Sequence, residues 1–229
     1  MVRRPRSAAG CGDDGIWLHG EPAEPGTPLR PALFLDRDGT VVEEVGHLRR
    51  PEDVRLIEGA AAVIARANAL AIPVIVVTNQ SGIGRGLFGW AELIAVEERI
   101  EAELSALGAW IDAVLACPFH PEGRPPYRHP DHWARKPNPG LLLRAADAFA
   151  IEFASSWIVG DRAGDIAAGR AARLAGGMHV ASGWGSEPGE REAALACAGP
   201  SYRVLEAVTI AETRDLLPAS CEPGSGNER

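Results

Sequence analysis

Short, uniformly apolar runs alternate along this chain with longer stretches of helical period. Ala32–Leu35, Pro73–Thr78, Ala113–Cys117, Trp157–Val159 and Met178–Ala181 contain almost no polar residue, which predicts strands buried on both faces. Between them, Gly59–Leu70 is Ala-rich, and Gly89–Leu107 places Leu93, Val96, Ile100, Leu104 and Leu107 three and four apart on one helical face. Gly140–Phe149 and Asp165–Leu174 read as two further helices. Strands alternating with helices predict an α/β fold: a mostly parallel sheet in the middle of a three-layer sandwich.

The pattern lapses in three places. Residues 1–29 are rich in Pro, Gly and charge and are expected to be disordered, with Ile16-Trp17-Leu18 docking locally. The tail 218–229 has the same character, which leaves 30–217 as the folded domain. Val41–Glu58 is too long for a tight connection after the first strand and is expected to form a small flap. His47, Arg49 and Arg50 lie in it, either approaching a ligand or simply exposed to solvent.

Composition narrows the class. With 229 residues, 46% hydrophobic content and no apolar run near spanning length, the chain reads as one soluble domain. Its first residues are basic, but no apolar segment follows them, so a cytoplasmic location is the default. The four cysteines are scattered, which argues against a disulfide framework. A formal charge of −8 argues against nucleic acid or an anionic membrane as partner. It leaves open an anionic small molecule, because local cations and a metal outweigh a global field at short range.

Candidate chemistry sits at the ends of the apolar runs. Asp36-Arg37-Asp38-Gly39-Thr40 follows the first, placing two carboxylates two residues apart on one side of a strand end. One can attack phosphorus while the other protonates the leaving oxygen and later draws a proton from water. An Asp-rich turn without chemistry is the other reading. Thr78-Asn79-Gln80-Ser81-Gly82 follows the second run and can cradle phosphate oxygens; Gly82, Gly84, Gly86 and Gly89 then form a loop carrying Arg85. Arg135-Lys136 brings two cations ahead of a helix, where the helix dipole disfavours them, which mildly supports a functional reason. Asp161, ending another strand, is a third carboxylate for a hard cation such as magnesium, alongside Asp36 and the backbone carbonyl of Asp38. Asp165 is either a partner behind that site or a helix N-cap.

Taken in order, Asp36–Thr40, Thr78, Lys136 and Gly160–Asp165 resemble the signature of the haloacid dehalogenase (HAD) superfamily of phosphatases. Thr78–Gly86, Cys117–Gly123 and Arg135–Gly140 look like its capless branch, which contains heptose bisphosphate phosphatases and histidinol phosphatases. The resemblance covers residues 31–185 and implies a HAD-like Rossmannoid fold with no large cap domain. It implies Asp36 as nucleophile, Asp38 as general acid/base, Thr78 and Lys136 as phosphate holders, and Asp36, Asp38 and Asp161 as magnesium ligands. Asn79, Arg85 and Arg135 would face the substrate.

The implied protein is a monomeric, magnesium-dependent phosphatase acting on a small phosphorylated metabolite. D-glycero-D-manno-heptose 1,7-bisphosphate, losing its 7-phosphate, is the expected substrate, and histidinol phosphate is the alternative. A catalytically inactive phosphometabolite-binding protein is the alternative of another class.

Many relatives carry a structural zinc ahead of the Lys. Here Phe119, His132 and Ala134 stand where three of its four ligands would be, so that site is broken and a structural zinc is not expected. Two arrangements of the loop remain. Cys117, His120, His129 and His132 can offer a rearranged tetrahedron. Alternatively, Phe119, Tyr127 and Trp133 pack together in a proline-stiffened loop without metal.

Overall fold

The computed structural model describes residues 10–216. Its centre is an eight-stranded sheet in the order β1-β2-β5-β4-β3-β6-β7-β8. The strands are β1 (Gly10–Cys11), β2 (Trp17–Gly20), β3 (Leu33–Leu35), β4 (Val74–Asn79), β5 (Ala113–Cys117), β6 (Trp157–Gly160), β7 (Gly176–Val180) and β8 (Arg203–Ala207). From β5 to β8 every neighbouring pair is parallel, and only β1 and β2 run antiparallel, at one edge. The helices are α1 (Ala60–Ala69), α2 (Ser81–Arg85), α3 (Trp90–Ala106), α4 (Gly140–Ala148), α5 (Ala163–Ala171) and α6 (Glu190–Leu195).

Alternation along the strands splits the core into two halves. Leu33, Leu35, Val74 and Val76 face one side with Val63 and Ile64 of α1 and Leu93, Val96, Ile100 and Leu104 of α3. Phe34, Ile75, Val77 and Ile158 face the other, against Leu141 and Leu142 of α4 and Ile166 of α5. A strand buried on both faces needs apolar side chains at every position, which is why these runs carry no polar/apolar alternation.

The chain leaves β3 toward β4 on one side and later returns to β6 on the other. β3 and β6 therefore flank the topological switch point, where the carboxyl ends of the strands open a crevice. The flap follows β3 as expected. Its base is held by Glu43 N–H donating to Arg55 O at 2.9 Å and Ile57 N–H donating to Val41 O at 3.0 Å, and it buries Val41, Val42, Leu48 and Val54.

Two expectations need correction. Residues 10–20 are not disordered: β2 pairs with β5 in the register Trp17↔Ala116 to Gly20↔Ala113, with Ile16 and Trp17 buried. A tetrapeptide with a polar residue in it carries little periodic signal, and it is the free edge of β5 that makes it a strand. The Gly-rich loop expected from Gly82 to Gly89 begins as the short helix α2, which ends at Arg85. Its glycines are required by contact: a Cβ on Gly84 would lie 2.0 Å from the carbonyl oxygen of Pro118. The tail 218–229 lies outside the described residues. Among the described residues no helix is long and apolar enough to cross a membrane.

Candidate active site

Asp36, Asp38, Thr78, Asn79, Arg135, Lys136 and Asp161 all line one cavity of about 460 Å³ at the carboxyl ends of β3, β4 and β6. The loop after β3 turns tightly on Arg37, whose carbonyl accepts from Val41 N–H at 2.9 Å and Val42 N–H at 3.1 Å. Gly39 makes that turn with φ +81, and a Cβ there would overlap a carboxylate oxygen of Asp161. Gly183, on the loop after β7 with φ +56, packs against Gly39 and crowds the same oxygen. Asp161 is thus boxed in, and Trp184 N–H donates to its Oδ2 at 2.8 Å.

Lys136 is buried at the centre of the site with three acceptors for its three protons: Asp36 Oδ1 at 2.6 Å, Val77 O at 2.7 Å and Asp165 Oδ1 at 2.5 Å. Burial works against its charge, but Asp165 and Asp36 together outweigh it and hold the ammonium above the ordinary lysine range. Asn79 holds the lysine's backbone from both sides, Nδ2 donating to Lys136 O at 3.0 Å and Oδ1 accepting from Lys136 N–H at 3.1 Å. Its amide therefore positions Lys136 from the cavity wall. Asp165 is the third residue of α5, not its N-cap; its Oδ2 accepts from Arg162 N–H at 3.0 Å while its Oδ1 meets the lysine.

Asp36, Asp161 and Asp165 bring ligand oxygens within 4.8 Å of one another. Among the described residues this is the one His/Cys/Asp/Glu group close enough to share an ion. Burial, opposed by Lys136 and reinforced by Asp165 and Asp38, pushes Asp36 up to about 7. Burial, then Asp36 and Asp165, push Asp161 up to about 8. Clustered carboxylates that resist ionisation, all offering hard oxygen donors, suit a divalent cation of the magnesium kind.

The sequence reading overlooked several residues. Arg37, 1% exposed, donates to both oxygens of Asp38 at 2.9 Å and to Glu97 Oε1 at 2.8 Å. Gln80 adds a bond from Nε2 to Asp38 Oδ2 at 3.0 Å and another to Thr78 Oγ1 at 2.9 Å. A signal was present, because Glu97 occupies the apolar face of α3 between Leu93 and Ile100, and a carboxylate there demands a buried cation.

At the cavity mouth, Glu44 of the flap hydrogen-bonds the Trp184 side chain and the Gly46 N–H. Burial and the neighbouring Asp38 raise its carboxyl above the usual range. Arg162 lies over the Trp184 ring at 5.0 Å. Of the flap cations, His47 lines the cavity, whereas Arg49 donates to Leu87 O and Arg50 pairs with Asp53. Arg85 is not on the cavity wall; its guanidinium lies 4.0 Å from Glu122.

The loop after β5 is filled with rings. Phe119 stacks on His132 with centroids 3.6 Å apart and planes 5° from parallel, and Tyr127 meets Phe119 edge-on at 5.6 Å. His120, His129 and His132 each accept a backbone N–H at Nδ1, from Glu122, Asp131 and Ala134. No three of Cys117, His120, His129 and His132 bring ligand atoms within 4.8 Å of one another.

Comparison with known proteins agrees with this geometry. The HAD-hydrolase-like family profile matches residues 133–209. The D-glycero-β-D-manno-heptose-1,7-bisphosphate 7-phosphatase of Mesorhizobium japonicum is 42% identical over 177 residues, 77% of this chain and 82% of the relative. The chain belongs to the HAD-like phosphatases. It is an enzyme, a phosphoric monoester hydrolase.

The Escherichia coli K12 HAD-like relative of the same name is 35% identical over 153 residues, 67% of this chain and 80% of its own length. Among solved structures, a HAD-like phosphatase of Mesorhizobium loti superposes with a TM-score of 0.77 at 37% identity, covering 93% of this chain and 94% of that one. The D,D-heptose 1,7-bisphosphate phosphatase of B. bronchiseptica, complexed with magnesium and phosphate, gives 0.64 at 28% identity, covering 81% and 97%. As in the sequence reading, this HAD-like phosphatase has a flap and, among the described residues, no large cap.

Proposed function

We propose that the enzyme removes the 7-phosphate of D-glycero-D-manno-heptose 1,7-bisphosphate with magnesium, through an aspartyl phosphate on Asp36. The observation that carries the reading is the setting of Asp36: a strand-end carboxylate on the cavity wall, paired with Lys136 at 2.6 Å, with Asp38 on the same wall. An Asp36 carboxylate oxygen forms a bond to phosphorus as the bond from phosphorus to the sugar oxygen breaks, and Asp38 gives that oxygen its proton. Asp38 then takes a proton from water, whose oxygen attacks phosphorus and breaks the acyl phosphate, releasing inorganic phosphate. Lys136 and the Thr78 hydroxyl sit against the transferring group. Bound by Asp36, the Asp38 backbone carbonyl and Asp161, magnesium supplies the positive charge that lets two anions approach each other.

The sugar's second phosphate needs a cation beyond the reacting centre. Arg135 and Arg162 both line the cavity and sense each other's charge, and we assign the grip on that group to Arg135 first. The relatives named above favour the heptose over histidinol phosphate. Retention of both Asp36 and Asp38 favours turnover over a binding-only role. The test is phosphate release from the heptose bisphosphate with magnesium, wild type beside Asp36→Asn. We expect the variant to lose at least about a thousandfold in kcat while remaining folded by circular dichroism. Turnover within tenfold of wild type would remove Asp36 from the nucleophile's role.

A further inference from the structure

Arg135 is aimed by a group that is not in the cavity. Its Nη1 donates to the main-chain carbonyl of Phe119 at 3.1 Å, so the direction of the guanidinium follows the placement of residue 119. That residue is held from three sides by different parts of the fold. His132, three residues before Arg135, stacks flat on its ring. Tyr127 packs edge-on against it and accepts a hydrogen bond at its hydroxyl from Trp90 Nε1 at 3.1 Å, which ties the ring to α3. The third side is Gly15, in the turn between β1 and β2, where a Cβ would meet Phe119 Cζ at 2.9 Å. That turn is itself fixed, since Asp14 pairs with Arg144 of α4 at 3.1 Å and Trp17 stacks on Trp90 at 6.4 Å.

We propose that Phe119, clamped between the N-terminal hairpin and Tyr127, is a positioning residue that sets Arg135 for the substrate's second anionic group. The inference rests on the reading of Arg135 given above. Removing the ring leaves the carbonyl in the chain but frees it to wander, and the cation wanders with it. The loss therefore falls on recognition of the second phosphate and not on the reacting centre, which Asn79 and Asp165 hold by separate bonds.

The readout is a ratio: kcat/KM for D-glycero-D-manno-heptose 1,7-bisphosphate over kcat/KM for the heptose 7-phosphate, which lacks the second group. A lesion that merely loosens the fold lowers both rates and leaves the ratio alone. Phe119→Leu is expected to lower the ratio about tenfold. Arg135→Ala should lower the ratio at least as far, and the double variant should show no further drop. Tyr127→Leu gives an independent second approach to the same ring and is expected to lower the ratio in the same direction.

An unchanged ratio in Arg135→Ala overturns the assignment of Arg135 and this inference with it. A lowered ratio in Arg135→Ala with no change in either Phe119→Leu or Tyr127→Leu overturns the inference alone. So does a double variant whose loss is the product of the two single losses.

Discussion

Arg37 stands between Asp36 and Asp38 in the turn that follows β3 and is among the largest fully buried side chains among the described residues. An arginine in that position is tolerable only with its charge matched, and Asp38 and Glu97 together do so, holding its pKa above the ordinary value against the effect of burial. The Arg37–Glu97 pair thus connects α3, on one side of the sheet, to Asp38 on the cavity wall. Glu97→Gln keeps the shape and removes the charge. We expect unfolding free energy to fall by about 2 kcal/mol, measured by denaturant titration, because a buried guanidinium is left half-paired. A loss below about 0.5 kcal/mol would show that Asp38 and solvent suffice for Arg37.

At the scale of elements, the strands and helices with uninterrupted apolar periodicity were legible from the chain. Ala113–Cys117 forms the strand expected of it, and Gly89–Leu107 differs from α3 by one residue at each end. The elements that escaped are those made by context. α2 carries glycine at two of its five positions because Phe88 crowds Gly82 and Pro118 crowds Gly84, and β8, half exposed, is a strand because β7 offers it a partner. The chemical residues at strand ends were legible for the same reason as the strands: a carboxylate directly after a buried run has few places to go. The place of Arg85 off the cavity wall and the grip of Asn79 on Lys136 were not legible, because their partners, Glu122 and the backbone of Lys136, lie far along the chain.

Glycine packing against Asp161 belongs to this scale too. Gly183→Ala puts a methyl where an Asp161 oxygen now sits. We expect the magnesium concentration for half-maximal activity to rise about tenfold with a modest change in kcat at saturation. An unshifted magnesium titration would mean that the two glycines only shape the backbone.

For the whole molecule, the acidic cluster links stability to pH. Asp36 and Asp161 ionise near 4 in the unfolded chain but hold their protons to about 7 and about 8 when folded without metal. Between those limits the folded state binds more protons than the unfolded state. The cluster's contribution to stability is therefore fully present at low pH and is lost as pH climbs through 4 to 8. Thermal melts of metal-free protein at about pH 5.5 and about pH 8.5 should give the lower Tm at the higher pH. Magnesium should narrow the gap, since it binds the ionised folded cluster and not the unfolded chain. A Tm that rises with pH in the absence of metal would contradict the burial of charge described here.

The antiparallel pairing of β2 with β5 also bears on the order in which the molecule is made. Trp17–Gly20 is translated before Ala113–Cys117, yet its hydrogen-bonding edge does not exist until that later strand has been laid down against β4. A contact spanning so much chain is slow to close, so this segment waits for its partner long after it has been translated. During that interval the edge of β5 is open to any other extended segment. The hairpin that later packs against Phe119 is, before it docks, the missing cover of an adhesive edge.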